Sequence, residues 1–167
     1  MRKSLTLGTN ARQWLKAVHL VLGAIWLGGG ICMLVLRFSW MPSGLSDPYL
    51  LDRSVGLIND WVIIPSAILS LITGLLSSWL TPWGFFQHRW VTVKWILTVG
   101  IIVSSPVLTS SWDRAMETIS RAEGIMALQN PAYLQYQSLV IVTGIAKVAT
   151  LLALQVVSVL KPWRRRS

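Results

Sequence analysis

Four basic side chains lie within long apolar stretches of this sequence: Lys16, His19, Lys94 and Lys147. An ionisable group surrounded by hydrocarbon is costly, so such residues face a bundle interior or a water-filled cavity and mark sites where ligands or ions are handled. Lys147 is the most demanding. It stands eleven residues from Tyr136 and thirteen from Leu160, too deep for its ammonium to reach either end of the run. No acid lies at its depth along the sequence, so it needs water, hydroxyls such as Thr143 or Thr150, or an anionic ligand. His19, Gly23, Trp26, Gly30 and Met33 follow a 4-3-4-3 spacing, which sets them on one helical face turned into the bundle. At about 1.5 Å per residue, His19 lies roughly 7 Å in from Trp14 and Lys94 roughly 6 Å in from Trp90, at similar depth. Lys16 can extend to the interface, whereas a buried His19 requires a neighbouring hydroxyl or a ligand.

The elements that must position these groups are four apolar runs, at about 13–36, 61–80, 90–110 and 136–160. Each is near the roughly 20 residues that a membrane-spanning helix needs. In lipid every backbone polar group must be satisfied within its own segment, so runs of this length are helices. The sequence therefore predicts an all-α, four-helix transmembrane bundle forming one integral membrane domain over residues 1–167. Composition agrees, with 53% hydrophobic residues, 13% charged and a mean hydropathy of +0.58. The first run is too long for the apolar core of a cleaved leader, and no small-residue cleavage site follows it before Arg37.

Charge placement sets the expected orientation. All six acids fall in or beside the 37–60 and 111–135 connections, while most basic residues outside the spans gather near the termini and at Arg89. That is the pattern of both termini inside, and it predicts a multi-pass protein of the bacterial cytoplasmic (inner) membrane. Tryptophans at 14, 79, 83, 90 and 163 mark one interface and those at 40, 61 and 112 the other. Only Trp26 and Trp95 lie inside spans. A short interfacial helix is expected around Tyr49–Ile58. An amphipathic one is expected after Ser110 or Ser111 as N-cap, lying on the outer surface with Met116, Ile119 and Ala122 on one face and Glu117 paired to Arg121. Ser66, Ser70, Gly74 and Ser77 form a small-residue stripe for close helix approach, as do Gly28, Gly29 and Gly30. Pro65 falls near the predicted start of the second span, and Pro106 should bend the third near its outer end.

Several classes are set aside. The formal charge of +9 is not arranged as a nucleic-acid surface, so no nucleic acid is expected. No span carries a central Asp or Glu, which argues against a carboxylate-based coupled transporter. Two histidines without a nearby acid or second cysteine make a poor zinc site, and five scattered methionines make no soft-ligand cluster for copper. No catalytic residue is assigned by motif. The expected partners are the lipid bilayer and either a second membrane protein or further copies of the chain.

Trp26 and Gly29 follow His19 at fixed spacing, and Lys94 follows Trp90 at the head of the third run. These positions resemble a theme in HemJ-type protoporphyrinogen oxidases, which are haem-b proteins, and in copper-resistance D membrane proteins. Size and layout are similar to a group of small, uncharacterised bacterial predicted integral membrane proteins. The resemblance implies haem b with His19 as the metal ligand and Lys94 acting with it. Thr92 stands where the HemJ pattern has a histidine, and Arg37 is displaced from its arginine position. The expectation is a b-type haem-binding redox protein with its site in the cytoplasmic half, bounded by His19, Lys94, Trp26 and Lys16. Lys147 would take a second polar group. The alternative is a non-catalytic accessory subunit or small-ligand carrier without haem.

Overall fold

The computed structural model describes residues 8–40, 47–80 and 89–160. The 81–89 loop and the arginine-rich tail fall almost wholly outside them. α1 spans Thr9–Trp40, α2 Pro48–Ile58, α3 Ile64–Leu80, α4 Arg89–Ser104, α5 Ser110–Glu123 and α6 Pro131–Leu160. Two π-helical turns, Asn59–Ile63 and Ser105–Thr109, join α2 to α3 and α4 to α5, and a 3-10 turn, Gly124–Gln129, leads towards α6. Three stretches are long and apolar enough to cross a membrane: Thr9–Ser39, Pro48–Leu80 and Pro131–Ser158. Val91–Ser104 is a shorter apolar helix. The described residues are almost wholly helical.

The joins differ from the sequence expectation. The helix containing the second span does not begin near Pro65; it begins at Pro48, where the Asp47 side chain accepts from the Tyr49 amide at 3.0 Å. Pro65 therefore lies in the interior of a continuous helical rod. A proline there lacks an amide hydrogen and crowds the carbonyl one turn back. The wider turn just before it gives that carbonyl room, and Ser66 donates to the Val62 and Ile63 carbonyls at 2.6 and 3.0 Å. The backbone also widens at Pro106. Instead of a simple bend, Ser105–Thr109 opens into a π turn closed by the Ser110 amide on the Ser105 carbonyl. α5 thus continues from α4 without a side-chain N-cap at Thr109.

α5 does not rest on its apolar face alone. Met116 and Ser120 are buried, and α5 packs across α2 and α6, with Met116 meeting Ala127, Tyr133 and Val140. Trp112 packs against this same cluster, while Trp14, Trp61 and Trp79 remain exposed as interfacial residues would be. Ala122 is exposed, and Glu117 approaches Arg53 at 3.9 Å instead of pairing with Arg121, which lies over the Tyr49 ring. Gly124 turns the chain with φ of +55°, a conformation that disfavours side chains. α6 then starts under an Asn130 cap that accepts from the Ala132 amide at 2.9 Å.

The central core takes one residue from each of four helices: Trp26, Ala67, Ile101 and Leu151. Glycines bring the helices close around it. A Cβ on Gly29 would stand 2.8 Å from Ile63 Cδ1 and 3.3 Å from Val62 Cγ1, whereas one on Gly28 would meet nothing within 4 Å. Gly29→Val should therefore lower the unfolding free energy by about 1–3 kcal/mol, the usual cost of overpacking. Gly28→Val should stay within about 0.5 kcal/mol of the parent, as surface changes do. Thermal unfolding of the two variants in the same detergent checks the difference.

Candidate functional site

The inward stripe of α1 organises two polar sites at opposite ends of the bundle. His19, Gly23, Trp26, Gly30 and Met33 all turn inward, and the 4-3-4-3 rhythm continues by four to Arg37, which is buried. His19 and Arg37 are eighteen residues apart, or roughly 27 Å along the helix at 1.5 Å per residue. That is close to the thickness of a bilayer core, about 30 Å.

His19 occupies the end where α1 begins and α6 finishes. Thr73 on α3 gives its hydroxyl hydrogen to the Leu69 carbonyl at 2.8 Å or the Ser70 carbonyl at 3.1 Å. Its oxygen is therefore left to accept from His19 Nδ1–H, at 3.0 Å. This fixes the tautomer: the proton is on Nδ1, and Nε2 carries the lone pair. Lys94 Nζ, on α4, stands 3.4 Å from that Nε2 and donates to Ser158 Oγ on α6 at 2.9 Å. Ser158 in turn spends its own hydrogen on the Leu154 carbonyl. Four helices thus contribute to one hydrogen-bonded chain, Thr73–His19–Lys94–Ser158.

The chain borders a cavity of about 400 Å³ in the middle of the bundle. Its floor is Trp26 and Leu151, its walls include Trp95 and Gln155, and Arg12 and Lys16 stand towards its terminal mouth. Gly74 makes room for the imidazole, since a Cβ there would approach His19 Cε1 to 3.3 Å. The small-residue stripe predicted on this helix therefore serves the site as well as packing. His19, Lys94, Trp26 and Lys16 all border this cavity; Lys147 does not.

Lys147 lies in a separate distal pocket of about 90 Å³. It donates to Ser105 at 3.0 Å and makes a short hydrogen bond to Thr109, both in the π turn. Thr143 and Thr150, the partners expected from sequence, instead donate to backbone carbonyls of their own helix. An acid also reaches Lys147's surroundings, because α5 folds Asp113 over the same pocket.

Asp113 is one arm of a buried network that sequence reading left as loop charges. Arg37, 2% exposed, donates to Asp113 at 2.8 Å and to Asp52 at 3.4 Å. Asp52 also accepts from Ser120 at 2.8 Å and from the Tyr133 hydroxyl at 3.2 Å. Burial pushes the Asp113 carboxyl above the ordinary carboxylate range and Asp52 adds to the rise, with Arg37 and Lys147 opposing it. Arg37 Nε has no acceptor among the described residues.

An apolar helical bundle with an internal polar cavity defines an integral membrane protein. The family described as predicted integral membrane protein (DUF2269) matches residues 13–162, and the chain belongs to it. No curated protein and no solved structure matches the chain.

Removing one partner of a buried ion pair typically costs about 3–5 kcal/mol, because the remaining charges are left without compensation. Arg37→Met should therefore destabilise the bundle by about that amount. Arg37→Lys should recover little of it, since an ammonium cannot fork between two carboxylates from one fixed plane. Denaturant unfolding in detergent micelles, followed by tryptophan fluorescence, measures both.

Proposed function

We propose that the protein is a b-type haem-binding redox protein of the bacterial cytoplasmic membrane, with four spans and both termini inside. The cavity beside His19 then lies in the cytoplasmic half. The observation that carries this reading is the His19 imidazole. Its Nδ1–H is committed to Thr73, and its Nε2, met by Lys94 Nζ at 3.4 Å, borders a cavity within the 300–1,000 Å³ range of ligand pockets. Metal-bound histidines are commonly held by such a donated N–H, which fixes the ring and raises its basicity. Orientation is supported by charge: Arg12 and Lys16 lie near the terminal end, while Asp52 and Asp113 belong to the distal network and Glu117 pairs with Arg53 beside it.

The residues present suit the group. His19 Nε2 would ligate the haem iron, as histidine commonly does. Lys94 and Lys16 supply cations for carboxylates at the cavity's terminal side, and Trp26 supplies an aromatic floor. Haem would contribute one-electron exchange. The chain's own part is to orient His19 through Thr73, hold Lys94 through Ser158, and exclude bulk water with the Trp26 layer. No set of three or more His, Cys, Asp or Glu side chains gathers among the described residues, so a multi-ligand metal centre is not the basis of this reading.

One observation favours a second reading. Lys94 Nζ already stands at His19 Nε2, as it would in a carrier that binds an anionic amphiphile through Lys94 and leaves the imidazole neutral. Absorption spectra decide between them. Protein expressed with ample haem and purified in mild detergent should show a Soret band that shifts with dithionite and is lost in His19→Ala. Thr73→Val should keep the band but alter its position, because the ring loses its orienting acceptor. A colourless wild type, or a spectrum unchanged in His19→Ala, overturns the haem reading and leaves the carrier.

A further inference from the structure

The two cavities share their inner boundary. Trp26 and Leu151 border both the 400 Å³ cavity and the 90 Å³ distal pocket, and Trp26 is only 6% exposed. Ile101 completes the partition, with Ala67 packed beside it. Along α1 the partition is narrow. Trp26 is about 10 Å from the level of His19 and about 16 Å from that of Arg37 at 1.5 Å per residue. Polar groups otherwise continue from end to end: Asp113, Arg37, Lys147, Ser105 and Thr109 on the distal side, His19, Lys94 and Ser158 on the other. A single apolar layer interrupts them.

The polar corner of the distal pocket offers partners for water. Arg37 Nε is buried, has no acceptor among the described residues and belongs to a residue lining the pocket. A buried donor of this kind is ordinarily satisfied by an internal water with two to four polar partners. Asn59, Ser105 and Thr109 offer further partners, and 90 Å³ has room for about three waters at roughly 30 Å³ each. Asp113 joins this pocket to the distal surface, since its side chain is 22% exposed.

We propose that the protein carries a gated proton path: Asp113 takes up protons from the distal side into the hydrated pocket, and the Trp26–Ile101–Leu151 layer separates that pocket from the cavity at His19 and Lys94. The step is a transfer between oxygens. An O–H bond forms on the Asp113 carboxylate as one breaks in an outside hydronium ion; that bond then breaks as one forms on a pocket water, so a proton alone moves and no oxidant or reductant is consumed. The groups facing Asp113 set its readiness: Arg37 from α1, Asp52 from α2 and Lys147 from α6. Lys147, held by two hydroxyls of the π turn, lines the same pocket. Trp26 couples the layer to the ligand cavity, because it also forms that cavity's floor. Occupancy of that cavity would therefore bear on the gate. The path stands whether the occupant is haem or another amphiphile.

The test uses full-length protein in vesicles of phosphatidylethanolamine and phosphatidylglycerol, with a pH-sensitive dye inside and a potassium diffusion potential set by valinomycin. Wild type should be nearly as tight to protons as protein-free vesicles. Trp26→Ala should admit protons severalfold faster while retaining an entrapped fluorescent dye, and Asp113→Asn in that background should remove most of the increase. Leu151→Ala opens the same layer from the opposite helix, and serves if Trp26→Ala does not purify as a monodisperse species. The proposal fails if the opened variants are as tight as wild type. It fails equally if they leak the dye, or if Asp113→Asn leaves their proton flux unchanged.

Discussion

Arg37 is the joint on which the distal half of the molecule turns. Its guanidinium lies between carboxylates from two other helices, reaching Asp113 on α5 and Asp52 on α2. Away from water a charge must be matched by groups the protein itself provides, and a fork-shaped cation can hold two carboxylates at fixed angles. Asp52 passes the constraint on to Ser120 and to Tyr133 at the start of α6. Four helices are thereby registered against one another at a single point. The position of Asp113 over the distal pocket, and hence the electrostatic setting of Lys147, follows from that registration.

The other half is organised by a weaker but more adaptable chain of hydrogen bonds. Thr73, His19, Lys94 and Ser158 come from four separate helices, and the two hydroxyls at its ends each satisfy a backbone carbonyl as well. The distal network is closed on itself by opposite charges, whereas this one contains no acid. Its formal positive charge is matched by nothing within the chain of contacts. The contrast fits a division of labour between a clamp that fixes the bundle and a cavity that receives something from outside.

Much of this was legible in the sequence, for a clear reason. Helical periodicity in an apolar run is a strong signal, so the stripe from His19 to Met33 and the depth match between His19 and Lys94 could be read directly. The same rhythm could have found Arg37, four residues beyond Met33, but its charge made it look like the start of a loop. Other errors came from chain geometry that periodicity does not carry. Neither π turn was foreseen, because a proline near a span is equally compatible with a helix start or a bend. Ser105 and Thr109 were consequently missed as the partners of Lys147. Asp113 was placed on the surface because an amphipathic helix beside a span can lie on lipid or fold onto its neighbours. Its buried residues, Met116 and Ser120, show that it does the latter.

The π turn at Ser105–Thr109 has a further consequence, which concerns angular phase. Each residue advances an α-helix by about 100° (3.6 residues per turn), so one residue accommodated in a wider turn resets the direction of everything beyond it. Upstream, Lys94 and Trp95 on α4 are phased to the cavity; downstream, Asp113 and Met116 on α5 are phased to Arg37 and to α6. A uniform α-helix through this sequence could not satisfy both aims with the same side chains. The turn acts as a one-residue phase shifter, letting a single rod serve two sites of unlike chemistry at the two ends of the bundle.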